Sequence, residues 1–211
     1  MCKIKAILFD MDGVLIEAKD WHYDALNKAL RLFGMEISRI EHLTTFDGLP
    51  TKDKLKILSL EKGLPVGLHG FINELKQQYT MDLVHSLCKP RFHHEYALSK
   101  LKESGYKMAV CSNSIRKTIE IMMQKASLDI YLDFYISNED VRKGKPDPEM
   151  YNKAIERMNL YPKECMIIED NENGIKAARA SGANVMIVEE ITEVNYENIL
   201  RHINNFQKGN R

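Results

Sequence analysis

The apolar run Ile4-Lys5-Ala6-Ile7-Leu8-Phe9 ends abruptly on Asp10-Met11-Asp12-Gly13, and this junction constrains the fold more than any other stretch of the chain. The run is rich in Ile, Leu and Phe and does not alternate with polar residues, so it predicts a parallel strand covered on both faces. Two carboxylates one residue apart, released where that strand ends, are a poor way to build a core. They are a good way to hold a divalent cation and to do chemistry beside it. Alone, the pattern is weak; turns and helix caps also use Asp after a strand.

Four further apolar runs read as buried strands: Met108–Cys111, Phe134–Ile136, Met166–Ile168 and Val185–Val188. Helical patterns follow or separate them at Tyr96–Ser104, which stops at Gly105, and at Ile115–Ala126, Met150–Met158 and Gly174–Ala180. Strands alternating with helices predict an α/β fold with a doubly wound parallel, Rossmann-like sheet. The interval between the first and second strands breaks the rhythm, being far longer than the dozen or so residues a crossover needs. It is helix-like throughout, at Trp21–Phe33, Thr51–Lys62 and Leu68–Leu87. The expected organisation is therefore a catalytic core of residues 1–15 and 87–211 and a helical insert at 16–86. The polar tail at 207–211 is expected to fray.

Each main strand is followed by polar residues: Asp10 and Asp12 after the first, Ser112-Asn113-Ser114 after the second, Glu169-Asp170-Asn171 after the fourth. In open parallel sheets ligands bind outside the carboxyl ends of the strands, which is where this placement puts them. Asp10, Asp12, Glu169 and Asp170 would share one crevice. Two like charges about 4 Å apart repel by roughly 4 kcal/mol at an effective dielectric near 20, so a cation is expected among them. An all-oxygen set without nearby His or Cys points to Mg²⁺ rather than zinc. A carboxylate beside Mg²⁺ can attack phosphorus, and a second can donate and accept the proton. Ser112, nearby backbone N–H groups and Lys145 could neutralise phosphoryl oxygens. Taken singly, Ser112 reads as a capping residue, Lys145 as a solvated lysine and Asp170-Asn171 as a turn; only their joint placement favours a site.

Composition narrows the partners. The chain has 211 residues, 44% of them hydrophobic, enough for a sizeable core. Thirty acidic residues balance thirty basic ones, so no global field collects nucleic acid or an anionic membrane. No run approaches the length of a membrane span, and the first residues lack the features of a signal peptide, so a cytoplasmic location is expected. The scattered Cys2, Cys88, Cys111 and Cys165 read as small buried thiols rather than disulfides or a zinc site. The expected partner is a small phosphorylated metabolite, and a monomer is compatible with the sequence.

Together these segments resemble the haloacid dehalogenase superfamily of phosphotransferases over nearly the whole chain. The first motif is Asp10-Met11-Asp12-Gly13-Val14, the second Ser112 after Met108–Cys111, the third Gly144-Lys145-Pro146-Asp147-Pro148-Glu149-Met150-Tyr151, and the fourth Ile167-Ile168-Glu169-Asp170-Asn171-Glu172-Asn173-Gly174. The last two look most like the β-phosphoglucomutase and small-phosphatase branch. The resemblance implies Asp10 as nucleophile and Asp12 as general acid/base. It implies Mg²⁺ on the Asp10 side chain, the Asp12 carbonyl and Asp170, with Glu169 ligating or orienting, and Ser112, Asn113 and Lys145 at the phosphate. It also makes the insert a helical cap, in which His22, Thr51, Lys52 and Lys76 would meet substrate. Dehalogenases lack an aspartate at the Asp12 position, which argues against carbon–halogen hydrolysis.

The resemblance leaves phosphatase and mutase open, and the cap loop weighs between them. Mutases carry a stretch like G-V-S-R-x-x-S-L, whereas this chain has Gly48-Leu49-Pro50-Thr51-Lys52-Asp53-Lys54-Leu55. Thr51 replaces the arginine that would grip a second phosphate bidentately, although the adjacent Lys52 could compensate. The expected activity is a Mg²⁺-dependent phosphatase acting on a small metabolite such as a sugar phosphate, with a hexose phosphate mutase as the alternative. Lys52, Lys54 and Lys76 could instead lie on solvated helix faces, the usual fate of lysine. A signalling receiver domain also pairs an acidic Mg²⁺ pocket with a phospho-accepting aspartate, but it has no long insert after its first strand. A binding module that kept the fold and lost activity ranks last.

Overall fold

The computed structural model describes residues 3–209; Met1, Cys2 and the last two residues, 210 and 211, lie outside the described residues. The chain divides into two compact units, one of residues 1–17 and 89–211, the other of residues 18–88.

The first unit is built on a five-stranded sheet in the order β3-β2-β1-β4-β5: β1 Ala6–Phe9, β2 Lys107–Cys111, β3 Phe134–Ile136, β4 Cys165–Glu169 and β5 Asn184–Ile187. Every neighbouring pair is parallel. All residues of β1 and β4 are buried, as expected of strands covered on both faces. Helices α5 (Phe92–Glu103), α6 (Arg116–Lys125), α7 (Glu149–Arg157), α8 (Glu172–Ala180) and α9 (Tyr196–Gly209) make the connections and the closing element of this unit. One core joins Leu8, Ala109, Ile136, Tyr151, Ile155, Ile167 and Ala178. The order reverses at β1, since the chain builds outward through β2 and β3 and then returns to β4 on the other side. Such a reversal leaves a crevice at the strand ends.

Register levels those ends. Phe9 pairs with Val110 on one side and with Ile168 on the other. Asp10 therefore emerges level with Cys111 and Glu169, and the Asp10 N–H still donates to the Ile168 carbonyl at 3.0 Å. Ser112 N–H likewise donates to the Ile136 carbonyl at 3.0 Å.

The helical insertion that follows β1 forms the second unit. It comprises α1 (Lys19–Arg31), the short α2 (Arg39–Glu41) running into a π-helical turn at His42–Phe46, α3 (Thr51–Lys62) and α4 (His69–Leu87). Ser38 starts α2 with a reciprocal cap, its hydroxyl accepting from Glu41 N–H while the Glu41 carboxylate accepts from Ser38 N–H. Gly63 ends α3 at φ 71°, a left-handed conformation that suits glycine. This unit has its own core of Leu26, Leu30, Ile37, Phe46, Leu55, Leu58 and Ile72. Buried Asn27 closes the loop after α1 by donating to the Ile37 carbonyl and accepting from the Ile37 N–H, both at 2.9 Å.

The strands lie within a residue or two of their sequence positions. The unit boundaries fall at 17/18 and 88/89, slightly past the expected 15/16 and 86/87. The expectation of a frayed tail does not hold for residues 207–209, which continue α9, a helix anchored by buried Ile199 and Ile203 and packed on α5. Cys88, Cys111 and Cys165 are buried and in no disulfide among the described residues, as expected, and Cys2 lies outside the described residues. No helix among the described residues is long and apolar enough to cross a membrane.

Replacing Asn27 by Ala removes both partners of Ile37's peptide groups in a buried setting. Chemical denaturation is expected to show a loss of about 2 kcal/mol; an unchanged midpoint would contradict this role for the side chain.

Candidate active site

Asp10 leaves β1 at the centre of the sheet and is buried. The chain then turns sharply. Leu15 and Ile16 N–H groups return to the Met11 carbonyl, Gly13 N–H donates to the Ile16 carbonyl, and Gly13 takes φ 91°. A non-glycine residue there would be strained, which gives the Gly of the motif a physical reason. The turn keeps Asp12 half-buried beside Asp10, with Ser114 Oγ at 3.5 Å from Asp12 Oδ2.

Lys145 is the centre of the charge arrangement. Its ammonium is 3% exposed and sits 2.5 Å from Asp10 Oδ1 and 2.6 Å from Glu169 Oε1. Asn113 holds the lysine's own peptide at both ends. Its Oδ1 accepts from Lys145 N–H at 3.0 Å, and its Nδ2 donates to the Lys145 carbonyl at 3.2 Å. Asn138 in turn donates to the Asn113 carbonyl at 2.9 Å. Lys145 lies on the loop between β3 and α7, and Pro146 follows it in a cis peptide.

Glu169 ends β4 with no solvent exposure. Besides Lys145, its Oε1 accepts from the Tyr151 hydroxyl at 2.5 Å, and its Oε2 accepts weakly from Asp170 N–H at 3.2 Å and Asn171 Nδ2 at 3.4 Å. Asn171 also caps α8, accepting from Gly174 N–H at 2.9 Å. Gly174 leaves the space that Glu169 fills, since a Cβ there would lie 1.9 Å from Glu169 Oε1 and 2.0 Å from its carboxyl carbon.

Carboxylate oxygens of Asp10, Glu169 and Asp170 all lie within 4.8 Å of one another, a spacing that could hold a metal ion. Electrostatics agree. Burial drives the Asp10 carboxyl well above its ordinary range; Lys145 opposes this, and Glu169, Asp170 and Asp12 add to it. Burial also works against the charge on Lys145, but the Asp10 and Glu169 carboxylates outweigh it and raise its pKa. The ammonium therefore stays charged while the carboxylates remain over-supplied with negative charge, and a divalent cation is the group that would relieve them. Neighbouring Cys111 is pushed up by burial to about 12, so its thiol stays protonated.

The structure thus gathers Asp10, Asp12, Ser112, Asn113, Lys145, Glu169 and Asp170 at the strand ends of one unit. Asn113 stands beside Ser112 in this group, with its side-chain amide engaged by the Lys145 main chain. Tyr151 and Gly174 were not singled out by sequence reasoning. Both lie inside the quoted motifs, and the only signal was a polar aromatic and a glycine in short segments beside charged residues.

The cap candidates fall in the other unit. His22 on α1 and Lys76 on α4 meet, with Lys76 Nζ 3.1 Å from His22 Nδ1. Thr51 begins α3, and Lys52 is exposed. A solvated position does not hold for Lys54 and Lys76, each only 7% exposed. Buried His42, its ring tilted at 47° to that of Tyr23 with 5.1 Å between ring centres, has its pKa lowered to about 4, first by burial and then by Lys54. This unit therefore encloses basic groups of its own.

A fold and site of this kind define a class, and comparison with known proteins gives it a name. A family model described as haloacid dehalogenase-like hydrolase matches residues 7–188, and the chain belongs to that family, on its phosphatase side. A phosphorylated carbohydrates phosphatase of Thermotoga maritima is 26% identical over 182 residues, covering 85% of this chain and 82% of that protein. The pyrophosphatase PpaX of Bacillus mycoides is 23% identical over 199 residues, covering 88% and 84%. Among solved structures, a β-phosphoglucomutase from Clostridium difficile superimposes with a TM-score of 0.85 over 97% of this chain and 99% of that one, at 20% identity. That likeness is one of fold.

The charge arrangement has a pH signature. A raised Asp10 pKa means its contribution to stability is full below the unfolded value, near pH 4, and is lost as pH rises through the folded value. Lys145, also raised, keeps its contribution across that window and loses it only in strong alkali. A cation that binds ionised Asp10 should therefore stabilise more at about pH 8 than at about pH 5. Thermal denaturation with Mg²⁺ and with chelator at both pH values checks this, and an equal gain at both would contradict it.

Proposed function

We propose that this chain is a Mg²⁺-dependent phosphatase acting on a small phosphorylated metabolite, in the first instance a sugar phosphate, through an aspartyl-phosphate on Asp10. The observation that carries the proposal is the buried Asp10 carboxylate held 2.5 Å from the Lys145 ammonium, within a cluster that includes Glu169 and Asp170.

The donor set is oxygen only, which suits Mg²⁺. Asp10, Asp170 and the Asp12 main chain would hold the ion with Glu169 alongside, and when bound it would supply positive charge to the phosphoryl oxygens. Asp10 attacks phosphorus, and the bond from phosphorus to the leaving oxygen breaks. Asp12, one residue along the same turn, gives its proton to that oxygen. Water then attacks the aspartyl-phosphate, Asp12 takes the water's proton, and the bond from phosphorus to Asp10 breaks to release phosphate. Lys145 and Ser112 offer the phosphoryl oxygens a cation and a hydroxyl, a stabilisation that costs no rearrangement at the moment of reaction.

A sugar phosphate is favoured by the named activity of the Thermotoga relative, which aligns over most of both chains. The pyrophosphatase relative supports a second substrate class, pyrophosphate. Thr51, where a mutase carries its phosphate-gripping arginine, argues for hydrolysis over isomerisation, since a threonine cannot make a bidentate pair with a second phosphate.

A phosphate-release assay across phosphorylated sugars, pyrophosphate and nucleotides, with and without Mg²⁺, is expected to show metal-dependent release, strongest among the sugars. Asp10→Asn is expected to abolish turnover with the fold intact. Isomerised hexose phosphate without phosphate release would overturn the hydrolase reading, and unchanged turnover in the Asn variant would remove Asp10 from its role.

A further inference from the structure

We propose that Tyr151 is a positioning residue for the phosphoryl-transfer site, its hydroxyl fixing the Glu169 carboxylate so that the Lys145 ammonium stays shared between Glu169 and the nucleophile. The inference rests on the phosphatase reading of the site.

Three observations carry it. Tyr151 lies in the first turn of α7, fully buried, with its hydroxyl 2.5 Å from Glu169 Oε1. That same oxygen accepts from Lys145 Nζ at 2.6 Å, and the ammonium also lies 4.9 Å from the centre of the Tyr151 ring. One aromatic residue therefore touches both members of the Lys145–Glu169 pair, through its edge hydroxyl and its face. Gly174 leaves the recess that the carboxylate occupies, since a Cβ there would fall 1.9 Å from Oε1, 2.0 Å from the carboxyl carbon and 2.1 Å from Oε2. Glu169 is thus held by the tyrosine donor and by a recess that a side chain at Gly174 would fill.

The consequence concerns how Lys145 divides its attention. Its ammonium is bonded to two carboxylates, Asp10 and Glu169. For Asp10 to attack phosphorus, the lysine must lend charge to the incoming phosphoryl group without collapsing wholly onto Glu169. The tyrosine hydroxyl takes up part of the charge on Glu169 Oε1, so the lysine is not that oxygen's sole donor. Removing the hydroxyl leaves a buried carboxylate oxygen with one donor fewer, and the remaining donor is the lysine. The lysine is then drawn toward Glu169 and away from the reacting atoms. Such a displacement weakens the transition state more than it weakens substrate binding.

Tyr151→Phe tests this, because it keeps the ring and the ring's contact with Lys145 and deletes only the hydroxyl. With p-nitrophenyl phosphate and saturating Mg²⁺, kcat is expected to fall about tenfold while KM moves less than about threefold. Gly174→Ala, whose Cβ would displace the Glu169 carboxylate with Tyr151 intact, is expected to give the same kcat-selective loss. The double variant should lose little more than either single one, because both act through Glu169. A Phe variant with undiminished kcat, losses of kcat and KM that follow the folded fraction by circular dichroism, or effects that multiply in the double variant would each overturn the proposal. Calorimetric titration of the unaltered protein with inorganic phosphate in the presence of Mg²⁺ separates the two levels. Failure to bind phosphate there would sink the phosphatase reading itself. Binding there, together with a fully active Phe variant, would sink only the role of Tyr151.

Discussion

The structure depends on one ammonium group, that of Lys145, placed where the ends of β1 and β4 bring carboxylates together. A parallel sheet whose order reverses at its centre delivers Asp10 and Glu169 at the same level by register alone. Each is buried, and without a cation the pair would repel strongly in a medium that screens poorly. Lys145 answers both at once, at 2.5 and 2.6 Å. Asn113 supports the lysine through its main-chain N–H and carbonyl, the Tyr151 hydroxyl and the recess at Gly174 support Glu169, and Asn171 caps α8. Residual negative charge from Glu169, Asp170 and Asp12 adds to burial in raising the pKa of Asp10, and the Asp10, Glu169 and Asp170 carboxylates are spaced so that they could hold a metal ion.

The second unit is stabilised separately. It has its own apolar core and a buried asparagine that closes its longest loop, so its fold does not rely on the catalytic chemistry. It also buries Lys54, Lys76 and His42, which is uncommon for such residues unless they have partners or a purpose.

Much of this was legible in the sequence because the signals were local. Non-alternating apolar runs marked the buried strands, and the polar residues directly after them marked the site. The helical insert was visible as an interval too long for a crossover. The features that escaped were contacts made through space. The pairing of Tyr151 with Glu169 joins residues eighteen apart on different elements, and the recess at Gly174 is a packing fact that spacing does not encode. Asn113 was expected at the phosphate because it follows Ser112; that its side-chain amide also holds the Lys145 main chain is a contact the spacing does not show. The burial of Lys54 and Lys76 depends on how helices of the insert pack, and lysine on a helix gives no sign of it. Helix α9 went unread because its two deepest residues, Ile199 and Ile203, are a single helical repeat within a polar stretch.

The most direct measurement is to stop the reaction in acid during turnover of a rapidly hydrolysed phosphate ester and locate the covalent label by peptide mass spectrometry. The account predicts one phosphoryl group on the peptide that contains Asp10, labile to hydroxylamine as an acyl phosphate is. A label on any other residue, or continued phosphate release with no labelled peptide at any quench time, would contradict it.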